Sequence, residues 1–157
     1  MDESEKGFRE FLGFWFLGFL RGMQTLDEPS RKKVLDECGR ACAQSYTAQI
    51  FRETEQNSSG VDLFLKNLEQ RFPGAHYERQ SSSTIRATYD RCGCDLVRLG
   101  LVVSPDLCEC SAANLRENLE QALGIPASVT IESSILRGGN HCVLIATLEK
   151  SPVMDCQ

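Results

Sequence analysis

Histidine is almost missing from this chain: its 157 residues hold only His76 and His141. One copy therefore cannot build a metal site mainly from imidazoles, and any metal would have to be held by sulfur or carboxylate. Excess positive charge is missing too. The 17 Lys and Arg are scattered and outnumbered by 22 Asp and Glu, and a net charge of −5 leaves no electrostatic footprint for nucleic acid. There is no long hydrophobic run: the most apolar stretch, residues 11–20 (FLGFWFLGFL), is ten residues between Glu10 and Arg21, about half of what a bilayer span needs. The chain starts acidic (MDESEK) where a secretory signal is basic, and no small-residue cleavage site follows the apolar stretch. A cytoplasmic protein with reduced thiols is expected. No glycine-rich phosphate loop follows a strand, neither histidine has a context marking a partnered serine or cysteine, and no internal repeat or low-complexity segment is present.

What remains is enough for one compact unit. An apolar fraction of 41% over this length supports an ordinary core. The expected organisation is a single α+β domain, 1–157, in which 1–25 form an apolar N-terminal helix serving as a dimerisation element and 26–150 form the core. A helix over 7–23 is apolar on nearly every face and has to be buried, on the body of the domain or on the same helix of a partner. Pro29 after Asp27 and Glu28 opens a second helix to about residue 53. A third runs over 61–71 with Val61, Phe64, Leu65, Leu68 and Phe72 at helical spacing.

The second half changes period. Residues 84–89 alternate as a half-buried strand, with Ile85, Ala87 and Tyr89 on one side, and 96–103 read as a further strand. Ser111 reads as the cap of a helix carrying Leu115, Leu119, Ala122 and Leu123, which stops at Gly124. Strands over 128–135 and 141–148 close the chain through Arg137, Gly138, Gly139 and Asn140. His76 reads as an exposed strand-edge residue.

The densest chemistry is in eight cysteines. Cys92-Gly-Cys94 is followed after thirteen residues by Cys108-Glu-Cys110. On extended backbone, residues two apart project to one side, so two such pairs brought together offer four thiolates to a tetrahedral ion. Zinc is the favoured occupant, and an iron–sulfur cluster or copper(I) suits the same soft ligands. Redox-active thiols and inert buried thiols are the competing readings. Cys108 and Cys110 are expected just ahead of a helix N-terminus, which favours an anionic sulfur. Cys38 and Cys42, four apart on one helical face, would bring two more sulfurs, although that face is also the apolar stripe and core packing is preferred for them. His141 and Cys142 are lesser ligand candidates, and Cys156 lies in the tail. Glu109 is the one carboxylate placed to move a proton beside a metal-bound water.

The run from Val129 to Ile145 (VTIESSILRGGNHCVLI), preceded by a cysteine-containing turn and a short amphipathic helix, resembles the end of vinyl-reductase-type small-molecule-binding domains. That family is related in fold to haem-NO-binding and TRAPP-type domains, and the resemblance covers about residues 91–148. It implies an α+β ligand-binding or sensory module, often dimeric, with Cys108, Cys110 and Cys142 as the positions carried over. A weaker similarity is to the aminothiazoline-carboxylate hydrolase family. The leading expectation is a non-enzymatic sensor or binding module with a small-molecule ligand and a thiolate-rich metal site. A metal-dependent hydrolase of small cyclic amides, using Glu109, is the alternative, and a structural dimerising protein is the third reading.

Overall fold

A computed structural model describes residues 1–149, and Cys156 lies outside them. The helices come first: α1 (Glu3–Met23), α2 (Glu28–Cys42), α3 (Ala48–Gln56) and α4 (Val61–Arg71). There follow β1 (Ala75–Arg79), β2 (Thr84–Tyr89), α5 (Asp95–Arg98), α6 (Leu107–Leu123), β3 (Ala127–Ser133) and β4 (Cys142–Leu148). The strands form one antiparallel sheet in the order β1-β2-β4-β3. The class is α+β, as the change of period implies.

The main core joins Phe51 of α3, Phe64, Leu65 and Leu68 of α4, and Leu115 and Leu119 of α6 to Ala75, Tyr77, Ile85, Ala87, Leu144, Ala146 and Leu148 of the sheet. Strand alternation supplies the inward set: Ile85 and Ala87 are buried, as are Leu144, Ala146 and Leu148 opposite. A smaller core of Leu20, Val102 and Leu107, with Phe16, Phe19, Leu96 and Val97 against it, pins α1 to the segment before α6.

Helix boundaries follow local chemistry. Asp2 caps α1 by accepting from the Glu5 amide at 2.7 Å, so the helix starts four residues before the expected Gly7. Asp27 does the same for α2 through Ser30, with Pro29 in the first turn. The single expected helix over 29–53 is α2 and α3 joined by a π-helical segment, Ala43–Thr47. There the Ser45 and Thr47 hydroxyls donate to the carbonyls of Cys42 and Ala43, the kind of side-chain competition that loosens a helical ladder.

Two expectations are overturned. Residues 96–103 are not a strand. Arg98 pairs back to Asp95 at 2.8 Å in the short α5, Gly100 ends it at φ +68°, and Leu96, Val97 and Val102 turn toward α1 instead of a neighbouring strand. Ser111 is not a helix cap. The turn at Ser104-Pro105-Asp106 winds directly into α6, with the Cys108 and Glu109 amides donating to the carbonyls of Pro105 and Asp106, and Ser111 lies inside the helix, its hydroxyl on the Leu107 carbonyl. Cys108 and Cys110 are therefore helical residues, not residues of an extended lead-in. No helix of the described residues is long and apolar enough to cross a membrane.

Candidate functional site

Helical backbone turns about 100° per residue, so two cysteines spaced by one residue within α6 point roughly 200° apart. That divides Cys108 from Cys110. Cys108 is buried, with its Sγ 2.8 Å from the Ser134 hydroxyl beyond β3. Cys110 faces α2, its thiol donating to the Leu35 carbonyl at 3.3 Å. Cys92 and Cys94 sit in the connection after β2, both partly buried. Cys92 is influenced by Cys94, Cys142 and Cys108, and Cys94 also by its proximity to Cys42 and Cys110. The four sequence-adjacent thiols are thus not brought to one centre. Two loose neighbourhoods result: Cys92, Cys108 and Cys142 by the sheet, and Cys38, Cys42 and Cys110 along the α2–α6 contact, with Cys94 within electrostatic reach of both.

Gly39 is why the second of these exists. A Cβ at this position would lie 2.3 Å from the Cys110 carbonyl oxygen and 2.6 Å from the Ala113 Cβ, so only glycine lets α2 rest directly on the α6 backbone. Leu35, Cys38 and Cys42 lie at helical spacing along this side of α2, Leu35 buried and the two cysteines exposed at its margin. The Tyr46 hydroxyl reaches the Asp95 carboxylate at 3.0 Å, tying α5 and the adjacent Cys94 to the same place.

At Cys42, Cys92, Cys108 and Cys110 the surroundings favour the protonated thiol. Burial pushes Cys110 up to about 12, with Cys38, Cys94 and Cys42 adding to the shift. Cys42 is raised first by partial desolvation and then by Asp95 and Cys94, against a hydrogen bond from Asn114. Cys92 and Cys108 are also raised by burial, with Ser134 and Arg137 partly offsetting this at Cys108. The anionic sulfurs expected at Cys108 and Cys110 from a helix N-terminus are therefore not found, because desolvation outweighs the dipole there. Among the described residues no three His, Cys, Asp or Glu side chains stand ready as a metal coordination sphere.

Glu109 is engaged elsewhere: its carboxylate takes Arg137 at 2.9 Å. The two histidines, far apart in sequence, converge on Asp90, with His76 Nε2 at 3.2 Å and His141 Nδ1 at 3.7 Å, all three exposed. Sequence reading missed this because only the β1–β2 register, Ala75 opposite Tyr89, places His76 beside Asp90. His76 does stand on an edge strand, as expected.

The largest unsatisfied feature lies on α1. Within the chain only Leu20 and Met23 of this helix are buried. Phe8, Phe11, Phe14 and Trp15 are all more than half exposed, Phe14 by 77%. Two shallow grooves of about 280 and 340 Å³ flank the same helix, the second lined by Phe14, Leu17, Leu101, Val102 and Val103 among others.

No protein-family model matches the chain, and no curated protein matches it. Among solved structures, it is similar to a trafficking protein particle complex (TRAPP) subunit 3 from Naegleria fowleri, crystallised covalently bound to palmitic acid. The TM-score is 0.56 at 14% identity, covering 94% of this chain and 98% of that one. Such a likeness carries the fold alone. It supports a TRAPP-type fold and gives no support to a vinyl-reductase or aminothiazoline-carboxylate hydrolase family.

Proposed function

We propose that this chain is a non-enzymatic binding module that assembles as a homodimer through the outer face of α1. The observation that carries the reading is the aromatic surface of that helix: Phe8, Phe11, Phe14 and Trp15 stand in solvent beside the exposed Leu99 and Val103. Contiguous apolar surface of this kind on a soluble fold marks an interaction site. Gly7, Gly18 and Gly22 have open space where a Cβ would be, leaving room for a second helix to approach closely. The TRAPP neighbour is itself named as a subunit of a complex, which is consistent with a fold that works by association. The hydrolase alternative gains nothing from the site, since Glu109 is engaged by Arg137.

Light scattering across a concentration series tests this reading. A species of twice 17.5 kDa that reverts to monomer on Phe14→Glu supports it, and a monomer at every concentration refutes it.

A second reading comes from the palmitic acid of the neighbour and the apolar groove beside Phe14: the same face would take an acyl chain. Trp15, the only tryptophan, reports on it directly. A palmitate-induced blue shift of its emission in dilute, monomeric protein would favour this reading over self-association.

A further inference from the structure

We propose that the outer edge of β3 pairs with the same edge of a second copy, antiparallel and two-fold symmetric about Thr130, so that the four-stranded sheet continues across the contact. This surface is separate from α1 and stands independently of assembly through that helix.

β1 and β3 are the two edge strands, and the chain treats them differently. In an antiparallel strand the amide and carbonyl of one residue point to the same side, and the side alternates along the strand. On β1 the outward amides are satisfied within the chain: Ala75 donates to the Phe72 carbonyl at 2.9 Å, and Tyr77 to the Glu69 carboxylate at 2.8 Å. On β3 the end of the ladder fixes the parity. The Glu149 amide donates to the Pro126 carbonyl at 2.9 Å, while Leu148, opposite Ala127, sends its amide the other way, to the Ser83 carbonyl at 2.7 Å. Ala127, Val129 and Ile131 therefore turn their amides and carbonyls outward. Ala127 donates to the Glu120 carboxylate at 2.9 Å, but among the described residues nothing pairs with the edge at Val129 and Ile131. The strand carries neither lysine nor proline to block pairing. Its one charge, Glu132, is drawn back across β4 to Arg86 at 2.6 Å.

The strand itself fits this edge. Turned antiparallel about Thr130, the sequence ASVTIES is self-complementary. Val129 meets the partner's Ile131, each amide reaching the other's carbonyl. Both side chains are only partly buried against the main core, and each covers the other on that side. On the outer side the exposed Thr130 meets its own copy, and the exposed Ser128 offers a hydroxyl to the carboxylate of the partner's Glu132. No like charges are opposed, and cross-strand pairs of these kinds are favourable. The register shift between Ile131 and Ser133 ends the matching segment, so the contact is short. It is weaker than one through the aromatic face of α1 and sets in at higher concentration.

The experiment uses the full-length chain carrying Phe14→Glu, so that α1 does not contribute, in sedimentation equilibrium at concentrations well above those at which α1 pairs. A concentration-dependent dimer is expected, with hydrogen exchange slowed at the Val129 and Ile131 amides. Thr130 is exposed and its amide faces β4, so a charge there leaves the fold intact. Thr130→Lys and Thr130→Glu should each weaken the dimer roughly fivefold by setting like charges opposite one another, and an equimolar mixture of the two should return it to within about twofold of the parent. Charged variants that associate like the parent, or a mixture that restores nothing, overturn the register. A monomer at every concentration with fast exchange at Val129 and Ile131 overturns the second copy as occupant and leaves the edge to a strand of another protein. Slow exchange of these amides already in dilute monomer overturns the open edge. In protein without Phe14→Glu, a dimer that Thr130→Lys abolishes and Phe14→Glu leaves unchanged speaks against α1 and for this edge.

Discussion

Gly39→Ala is the sharpest perturbation of this architecture. The added methyl would stand 2.3 Å from the Cys110 carbonyl oxygen, 2.6 Å from the Ala113 Cβ and 3.0 Å from the Asn114 amide nitrogen. Ordinary contact lies near 3.5 Å, so the overlap is roughly 1 Å. Two of the three atoms are α6 backbone and cannot swing aside, which forces α2 to lift from α6. Overpacking of this kind costs about 1–3 kcal/mol, offset by about 1 kcal/mol because alanine is the better helix former. Because the opposing atoms are backbone, the upper part of that range, about 2–3 kcal/mol, applies, and a net loss of about 1–2 kcal/mol is expected, a fall in Tm of several degrees for a chain of this size. Gly18→Ala is the matched control: nothing lies within 4 Å of its Cβ, so only the propensity gain of up to about 1 kcal/mol remains. Urea unfolding of both variants, in protein dilute enough to be monomeric, compares them. If Gly39→Ala is as stable as the parent, the direct seating of α2 on α6 is wrong, and with it the origin of the second thiol neighbourhood.

Two further outcomes follow from the core. Burial, with Cys142 adding and a hydrogen bond from Tyr77 opposing, raises Tyr89 to about 12, although the residue keeps some accessible surface. A folded-state value above the unfolded one near 10 means that this contribution is complete below pH 10 and is lost as the pH climbs through 12. Two units amount to at most roughly 3 kcal/mol. Urea midpoints should therefore fall between pH 10 and 12 in step with phenolate absorbance, and full phenolate titration near 10 in folded protein would contradict the burial. Leu119→Ala removes a fully buried side chain from the centre of the α6–sheet core and should cost about 2–5 kcal/mol in chemical denaturation; a loss below about 1 kcal/mol would place α6 outside the main core.

Much of the fold was legible in residue periodicity. Helix α4, strand β2 with Ile85 and Ala87 inward, and the stop of α6 at Gly124, which takes φ +65°, follow from spacing and turn chemistry alone. Strand β1 was read no further than an exposed edge at His76, because five residues with only Ala75 and Tyr77 buried make too short a pattern. Residues 96–103 were misread because an apolar run satisfies a sheet or a helix face equally well, and only packing on α1 decides. The thiols show the same limit. Their spacing was visible, but its meaning depends on backbone type: two residues apart is one side in a strand and opposite sides in a helix. Winding α6 back to Leu107 therefore separated Cys108 from Cys110, and the contribution of Gly39 could not be seen without a neighbouring helix.

The central claim, that the outer face of α1 is where a second copy binds, is tested most directly by hydrogen exchange followed across protein concentration. The account predicts that amides in residues 8–17 gain protection as concentration rises while α3 and α4 exchange unchanged. Exchange in α1 that does not depend on concentration, or protection that grows on another face in its place, would contradict it.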